Sequence, residues 1–141
     1  MTLNIEPNPQ PAAQTPSAVL LIDDNAIQAA TRQAVLKRAG YSVIAVLSPT
    51  RALEQFHNQT FPAPIFAVIT DHIMPGMSGS EFVRELRKIH PNLPVMVISG
   101  LEEAEPEYDA LNVRFLLKPV QPDLMLSNLR DLLAEQEQGA A

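Results

Sequence analysis

The chain has 141 residues, 46% of them hydrophobic and none of them cysteine, so it can bury the core of one domain without disulfides. Its ten basic residues form no block and its net charge is −6, which argues against a nucleic-acid-binding surface. No apolar run approaches the roughly 20 residues that span a bilayer. We therefore expect a cytoplasmic protein that binds neither nucleic acid nor membrane directly.

The amino-terminal segment differs in composition from the rest of the chain. Residues 1–16 contain four prolines and no basic residue, which predicts a flexible tail. The regular alternation of apolar and polar segments that follows predicts one folded domain over residues 17–138.

Five short apolar or β-branched runs predict strands, and amphipathic segments between them predict helices. Asn25 is placed to cap the first helix and Gly40 to end it, while Ser48 and Pro49 mark the start of the second. The predicted strands are residues 18–22, 41–47, 64–70, 94–99 and 113–117, and the clear helices are residues 25–40, 48–58, 78–90 and 122–138.

This alternation predicts an α/β domain with a parallel sheet, helices on both faces and right-handed crossovers. Ligands of such sheets bind outside the carboxyl ends of the strands. Polar residues end four of the strands, and all of them should meet at that edge. They are Asp23 and Asp24 after strand 1, Asp71 after strand 3, Ser99 after strand 4 and Lys118 after strand 5.

These residue types suit phosphoryl chemistry. Carboxylates that lie close together repel one another unless a cation intervenes, and oxygen ligands with retained waters suit Mg²⁺. Lys118 and Ser99 would then surround the oxygens of a phosphoryl group on Asp71. An aspartate nucleophile gives an acyl phosphate, which is energetic and hydrolysable.

The ordered motifs "LLIDDN", "TDHIMPGMSG", "VISG" and "FLLKPV" resemble those of receiver domains of two-component response regulators, over about residues 17–137. The resemblance implies a flavodoxin-like (βα)5 three-layer sandwich with strand order 2-1-3-4-5. It also implies that Asp71 is the phosphoryl acceptor, and that Asp24 and Asp71 bind Mg²⁺ directly, with Asp23 acting through water and the Ile73 carbonyl as a further ligand. Ser99 and Lys118 would bind phosphoryl oxygens, Phe115 would be the switch aromatic, and Lys118–Pro119 would be a cis peptide bond.

The segment between Ser99 and Lys118 is shorter than is usual in that family. Residues 101–112 contain five acids and Pro106, which is costly inside a helix. We expect a shortened fourth helix that begins near Pro106 or is partly replaced by loop.

The resemblance implies a function without enzymatic turnover of a substrate. The chain would take a phosphoryl group from a sensor histidine kinase or a histidine phosphotransfer protein, and then change its affinity for a protein partner. It would catalyse only its own phosphorylation and slow autodephosphorylation, with Ile73 and Leu101 shielding the acyl phosphate. We expect a monomer or a phosphorylation-dependent dimer, either stand-alone or cut from a longer protein.

Three other functions are compatible with parts of the sequence. A receiver-like interaction module that is never phosphorylated remains open. A haloacid-dehalogenase-type phosphatase needs an Asp-x-Asp motif, whereas Asp23 and Asp24 are adjacent. A flavodoxin-type carrier needs a phosphate loop after strand 1, which this sequence does not have. His72, beside the acceptor, is expected to be an ordinary surface residue.

Overall fold

The structure is a computed structural model that describes residues 16–140, with side chains to residue 136. The predicted tail therefore lies outside the described residues, apart from residue 16. In chain order the elements are β1 (Ala18–Ile22), α1 (Ala26–Arg38), β2 (Ser42–Val46), α2 (Pro49–Asn58), β3 (Ile65–Asp71), α3 (Gly79–Ile89), β4 (Val95–Ser99), a 3₁₀ helix (Glu102–Tyr108), β5 (Arg114–Leu117) and a closing helix (Pro122–Ala140).

All five strands are parallel and are arranged in the order β2-β1-β3-β4-β5. This confirms the predicted fold class and strand order, and the strands fall within one residue of their predicted ends. β1 and β4 are buried at every position, as expected for strands covered on both faces. β3 lies at the centre of the sheet, so its carboxyl end is flanked by those of β1 and β4.

The core has two parts, one on each face of the sheet. Because side chains alternate along a strand, Leu20 and Ile22 pack on one face with α2 and α3, while Val19 and Leu21 pack on the other with α1 and the closing helix. The leucines of the closing helix face the core: Leu129 is fully buried, and three further leucines pack against the same cluster, namely Leu126, Leu132 and Leu133.

The helix starts follow the capping residues of the sequence. The side chains of Asn25 and Ser48 accept hydrogen bonds from the backbone amides of Gln28 and Arg51. Ser78 and Glu81 form a reciprocal capping box at the start of α3. These caps fix where each helix leaves the carboxyl edge of the sheet.

The fourth helical segment is short, as predicted, but its predicted start is wrong. It is a 3₁₀ helix that begins at Glu102 and contains Pro106 near its end. Its first turn carries three acids, which favour a helix amino terminus. The backbone amide of Ala104 donates to Leu101 and that of Asp109 to Pro106, so the proline leaves both of these bonds intact.

Arg87, on α3, ties together the loops at the amino edge of the sheet. Its guanidinium donates to four backbone carbonyls, those of His90, Leu93, Leu111 and Asn112, at 2.7–3.0 Å. These loops lead into β4 and β5, so one side chain fixes the entry to both strands.

None of the described helices is long and apolar enough to cross a membrane.

Candidate functional site

Three carboxylates meet at the carboxyl edge of the sheet. Asp23 and Asp24 follow β1, and Asp71 ends β3, the neighbouring strand. Each can offer one oxygen, and these three oxygens lie within 4.8 Å of one another. The hard oxygen donors and their convergence fit a divalent cation such as Mg²⁺.

Burial differs among the three acids. Asp23 is fully buried and Asp71 is 4% exposed, whereas Asp24 faces solvent. The backbone turns after Ile22, and the Asp23 side chain accepts a hydrogen bond from the Asn25 amide at 2.9 Å. The turn directs one acid of the pair inward and leaves the other open to water.

Lys118 reaches the same cluster from the edge strand β5. Its Nζ lies 3.6 Å from Oδ1 of Asp71, and its backbone amide donates to the Ser99 carbonyl at 2.8 Å. The Lys118–Pro119 peptide bond is cis, as predicted. The ammonium group is thus placed beside the central carboxylate.

The other three predicted site residues surround this cluster. Ser99 is buried at the end of β4, and its Oγ accepts from the Leu101 amide at 2.9 Å. Ile73 is exposed in the loop after Asp71. Phe115 packs against the core cluster that includes Tyr108, with their ring centroids 5.7 Å apart. Their roles as phosphoryl ligand, carbonyl ligand and switch aromatic stay predictions.

Two residues of α1 complete the site, and sequence reasoning missed both. Arg32 Nη1 donates to Asp71 at 2.8 Å and to Asp23 at 3.2 Å, and Gln28 Nε2 donates to the same two side chains at 2.8 and 2.7 Å. They are four residues apart and therefore share one helix face. Polar residues at that spacing, just after the acid pair, were the available signal.

The protonation of Asp71 is governed by its burial. Desolvation raises the pKa of the Asp71 carboxyl, the Arg32 guanidinium opposes that rise, and the nearby Asp23 carboxyl adds to it. A cation that approaches both acids would therefore favour the ionised form, which is the nucleophilic one.

His72 is not the surface residue that was expected. It is buried, its Nδ1 lies 2.6 Å from the Tyr108 hydroxyl, and its Nε2 lies 3.7 Å from a Glu107 carboxylate oxygen. Burial, with the Glu107 charge adding to it, raises the pKa of the Tyr108 phenol above its usual range, so Tyr108 is a neutral hydroxyl here. The partner lies 36 residues away, which is why local sequence gave no sign of the contact.

Gly79, the first residue of α3, packs directly behind Asp71. A Cβ atom at this position would lie 2.5 Å from the Tyr108 hydroxyl and 2.6 Å from the Asp71 carbonyl oxygen. Only glycine lets α3 start this close to β3. The loop that carries Ile73 is thus held tightly at both ends.

The sequence of this chain is similar to those of characterised regulatory proteins. The chain is 33% identical to the two-component response regulator ORR6 of Oryza sativa over 122 residues, covering 78% of this chain and 67% of that protein. It is 29% identical to the transcriptional regulatory protein ZraR of Escherichia coli K12 over 119 residues, covering 82% of this chain. The chain spans only 26% of the length of ZraR.

Solved structures agree with these relatives. A response regulator receiver protein from Sinorhizobium medicae has a TM-score of 0.74 at 30% identity, covering 86% of this chain and 97% of that one. A CheY-like receiver domain protein from Methanospirillum hungatei has a TM-score of 0.79, covering 89% and 99%; at 21% identity it supports the fold alone. The family model described as "Response regulator receiver domain" matches residues 19–130. The chain belongs to the response regulator receiver domain family.

Proposed function

We propose that Asp71 accepts a phosphoryl group from a phosphohistidine of a sensor kinase or phosphotransfer protein, within a receiver domain that spans residues 17–138. The observation that carries this proposal is the cluster around Asp71, in which oxygens of Asp23, Asp24 and Asp71 lie within 4.8 Å and the Lys118 ammonium lies 3.6 Å from Asp71. No other three described His, Cys, Asp or Glu residues converge in this way.

In the proposed reaction, the phosphohistidine enters from the open side of the pocket, and a carboxylate oxygen of Asp71 attacks its phosphorus. The new O–P bond forms as the P–N bond to the donor imidazole breaks, and the imidazole leaves with the electron pair of that bond. The Lys118 ammonium offsets charge on the equatorial oxygens, and the Ser99 hydroxyl donates to one of them. The pocket thus contributes placement and electrostatics rather than further covalent steps.

Asp24 and Asp71 would hold Mg²⁺ directly, Asp23 would hold it through water, and the Ile73 carbonyl would be a further ligand. When bound, Mg²⁺ neutralises charge on the carboxylates and on the incoming phosphoryl oxygens. The exposed position of Asp24 leaves one side of the cluster open to solvent, which suits an ion that keeps several of its waters.

Phosphorylation changes the charge against which Ser99 and Lys118 pack. We propose that the loop after β4 shifts toward the phosphoryl group and that the affinity of a nearby surface for a protein partner changes with it. The phosphoryl group of a kinase originates from ATP, so we place this reaction in the cytoplasm.

Phosphorylation is tested with Mg²⁺ and acetyl phosphate, followed by intact mass measurement. We expect a labile phosphoryl adduct that Asp71→Asn abolishes and that Asp109→Asn, an exposed acid after the 3₁₀ helix, leaves unchanged. An adduct that survives in the Asp71 variant, or no adduct on the unaltered chain, would overturn the assignment. Turnover of many phosphate esters would instead indicate a phosphatase.

The apolar side chains beside the acceptor suggest slow hydrolysis of the acyl phosphate. Ile73 is 64% exposed and Leu101 is 39% exposed, and they follow Asp71 and Ser99 by two residues. At these positions they would cover the approach of water to the phosphoryl group. Ile73→Asn should shorten the lifetime of the adduct, and an unchanged lifetime would remove this part of the proposal.

A further inference from the structure

Arg32 and Gln28 bind Asp71, which is proposed to hold the metal directly, and Asp23, which is proposed to hold it through water. Each of the four oxygens of Asp23 and Asp71 has a donor within hydrogen-bond distance. Asp23 Oδ1 accepts from the Asn25 amide, and Asp23 Oδ2 accepts from Gln28 and Arg32. Asp71 Oδ1 accepts from Arg32, and Asp71 Oδ2 accepts from Gln28.

The Arg32 contacts are those of a bound cation. A single nitrogen, Nη1, lies between Asp71 at 2.8 Å and Asp23 at 3.2 Å, and the Arg32 side chain is only 12% exposed. Charge-assisted hydrogen bonds of this kind are among the stronger ones in proteins. The guanidinium thus supplies positive charge between the two acids, which a bound metal ion would otherwise supply.

Charge in the pocket points the same way. Asp23, Asp24 and Asp71 supply three negative charges when ionised, and Arg32 and Lys118 supply two positive ones. With Arg32 in place, a divalent cation meets three negative and two positive charges instead of three negative and one positive. It must also displace the Arg32 nitrogen that is hydrogen-bonded to Asp71 Oδ1. Both effects weaken metal binding.

The structure also offers a place for Arg32 to go. A groove of about 500 Å³ lies between α1 and the closing helix, and Arg32 forms part of its wall together with Val35, Lys118 and Met125. The groove lies beside the Arg32 side chain, so in the proposed exchange the guanidinium would turn into it by a change of rotamer, with α1 and the sheet unmoved.

We propose that Arg32 is an intramolecular competitor of the divalent cation: its guanidinium closes the Asp23–Asp71 pair and must withdraw before the metal binds. Arg32 thereby sets the Mg²⁺ concentration at which the acceptor becomes competent. This inference deepens the proposed function and rests on it for its meaning, although the competition itself can be measured without any phosphoryl donor.

The test is calorimetric titration of Mg²⁺ into the unaltered chain and three variants, without a phosphoryl donor. Arg32→Gln should bind Mg²⁺ about tenfold more tightly, within the range typical of coupled sites. Arg32→Lys keeps the positive charge and should stay close to the unaltered chain. Arg38→Gln removes the same charge from an exposed position of the same helix, and its affinity should not change.

Three outcomes would overturn the proposal. These are an Arg32→Gln affinity that is unchanged or weaker, an equal gain in Arg38→Gln, and an Arg32→Lys affinity as high as that of Arg32→Gln. Circular dichroism and a melting curve without metal establish that each variant is folded before titration. If the glutamine variant unfolds, Arg32→Met, which removes the charge and keeps the apolar stem, is titrated in its place, and it should show the same gain in affinity over Arg32→Lys.

The same variants separate this inference from the proposed function when they are treated with acetyl phosphate and Mg²⁺. Tighter metal binding by Arg32→Gln without any adduct on any chain would leave the competition standing and remove the acceptor role of Asp71. An Asp71-dependent adduct, with equal Mg²⁺ affinities in the unaltered chain and Arg32→Gln, would support the acceptor role of Asp71 and overturn the competition. An adduct that appears at lower Mg²⁺ in Arg32→Gln would support both.

Discussion

Two arginines at opposite ends of the sheet each connect segments that are distant in sequence, but they bond to different kinds of partner. Arg32, at the carboxyl end, joins β1 to β3 through the carboxylates of Asp23 and Asp71. Arg87, at the amino end, joins the loops before β4 and β5 through four backbone carbonyls. Each guanidinium fixes segments that are distant in sequence.

The difference lies in what else the partners must do. The carbonyls bonded by Arg87 are neutral and have no other role in the proposed chemistry, so these bonds serve stability alone. The carboxylates bonded by Arg32 are those of Asp71, the proposed nucleophile, and Asp23, proposed to hold the metal through water, so under that proposal each bond to them competes with the reaction. The amino end can therefore be tightly bonded, whereas bonds at the carboxyl end must be exchangeable.

The largest expected effect is a loss of stability when Arg87, at the amino end of the sheet, is replaced. Arg87→Met leaves four carbonyls without their donor and should lower the free energy of unfolding by about 4 kcal/mol. Urea unfolding measures the loss. Arg84→Met on the same helix is the matched control, because Arg84 is exposed and makes one long bond of 3.5 Å.

The comparison requires that Arg87→Met leave the chemistry of the folded molecules intact. Mg²⁺ affinity per folded chain should equal that of the unaltered protein. A changed affinity would show that the two ends of the sheet are coupled and that the division drawn between the arginines is wrong.

The next effect tests packing at the carboxyl end without changing charge. Gly79→Ala places a methyl group 2.6 Å from the Asp71 carbonyl oxygen and 2.5 Å from the Tyr108 hydroxyl. Overpacking of this kind should cost about 2–3 kcal/mol of unfolding free energy. Gly100→Ala, where a Cβ meets nothing within 4 Å, should unfold at nearly the same urea concentration as the parent. Equal losses in both variants would contradict the steric account.

A smaller effect is expected at the contact between the acceptor loop and the 3₁₀ helix. Tyr108→Phe keeps the ring against Phe115 and removes the hydroxyl that lies 2.6 Å from His72 Nδ1. The loss should be about 1 kcal/mol of unfolding free energy. The control is Tyr41→Phe, a half-buried ring against Phe66. No difference between the two variants in thermal melts would mean that the His72 bond adds nothing to stability.

The smallest effect concerns pH. Burial raises the pKa of Asp71 above its unfolded value of 3.8, so the stability linked to this group is fully present below the unfolded pKa and is lost as pH rises through the folded pKa. In the presence of a chelator, Asp71→Asn should therefore raise the melting temperature at pH 7, on the order of 2 °C. The difference should vanish at acid pH, and Asp109→Asn should show no such trend. A lower melting temperature for Asp71→Asn at pH 7 would mean that the Arg32 pairing outweighs desolvation.

Most of the fold could be predicted because local signals agree with the tertiary structure. β1 and β4 are continuous apolar runs, and Asn25, Ser48 and Ser78 mark helix starts by a side-chain bond to a nearby amide. The 3₁₀ helix starts at Glu102, four residues before Pro106, near which the sequence predicts its start. The acids at its amino terminus, rather than the proline, mark where it begins.

The site was predicted less completely, for a physical reason. The acids and Lys118 follow strand ends, and the parallel sheet brings strand ends together whatever lies between them. Gln28, Arg32 and His72 contribute through side-chain orientation, which depends on partners up to 43 residues away. Without knowledge of its hydrogen-bond partner, a polar residue on a helix is expected to face solvent.

The position of β5 at the edge of the sheet has a mechanical consequence. β3 pairs with a strand on each side, whereas β5 pairs with β4 alone, over four residues. Along the chain β5 lies next to the closing helix, so we expect a force on that helix to separate β5 and Lys118 from β4 before it parts β1 from β3, which carry the three acids. Mechanical force would thus break the contact between Lys118 and Asp71 before it unpairs the inner strands.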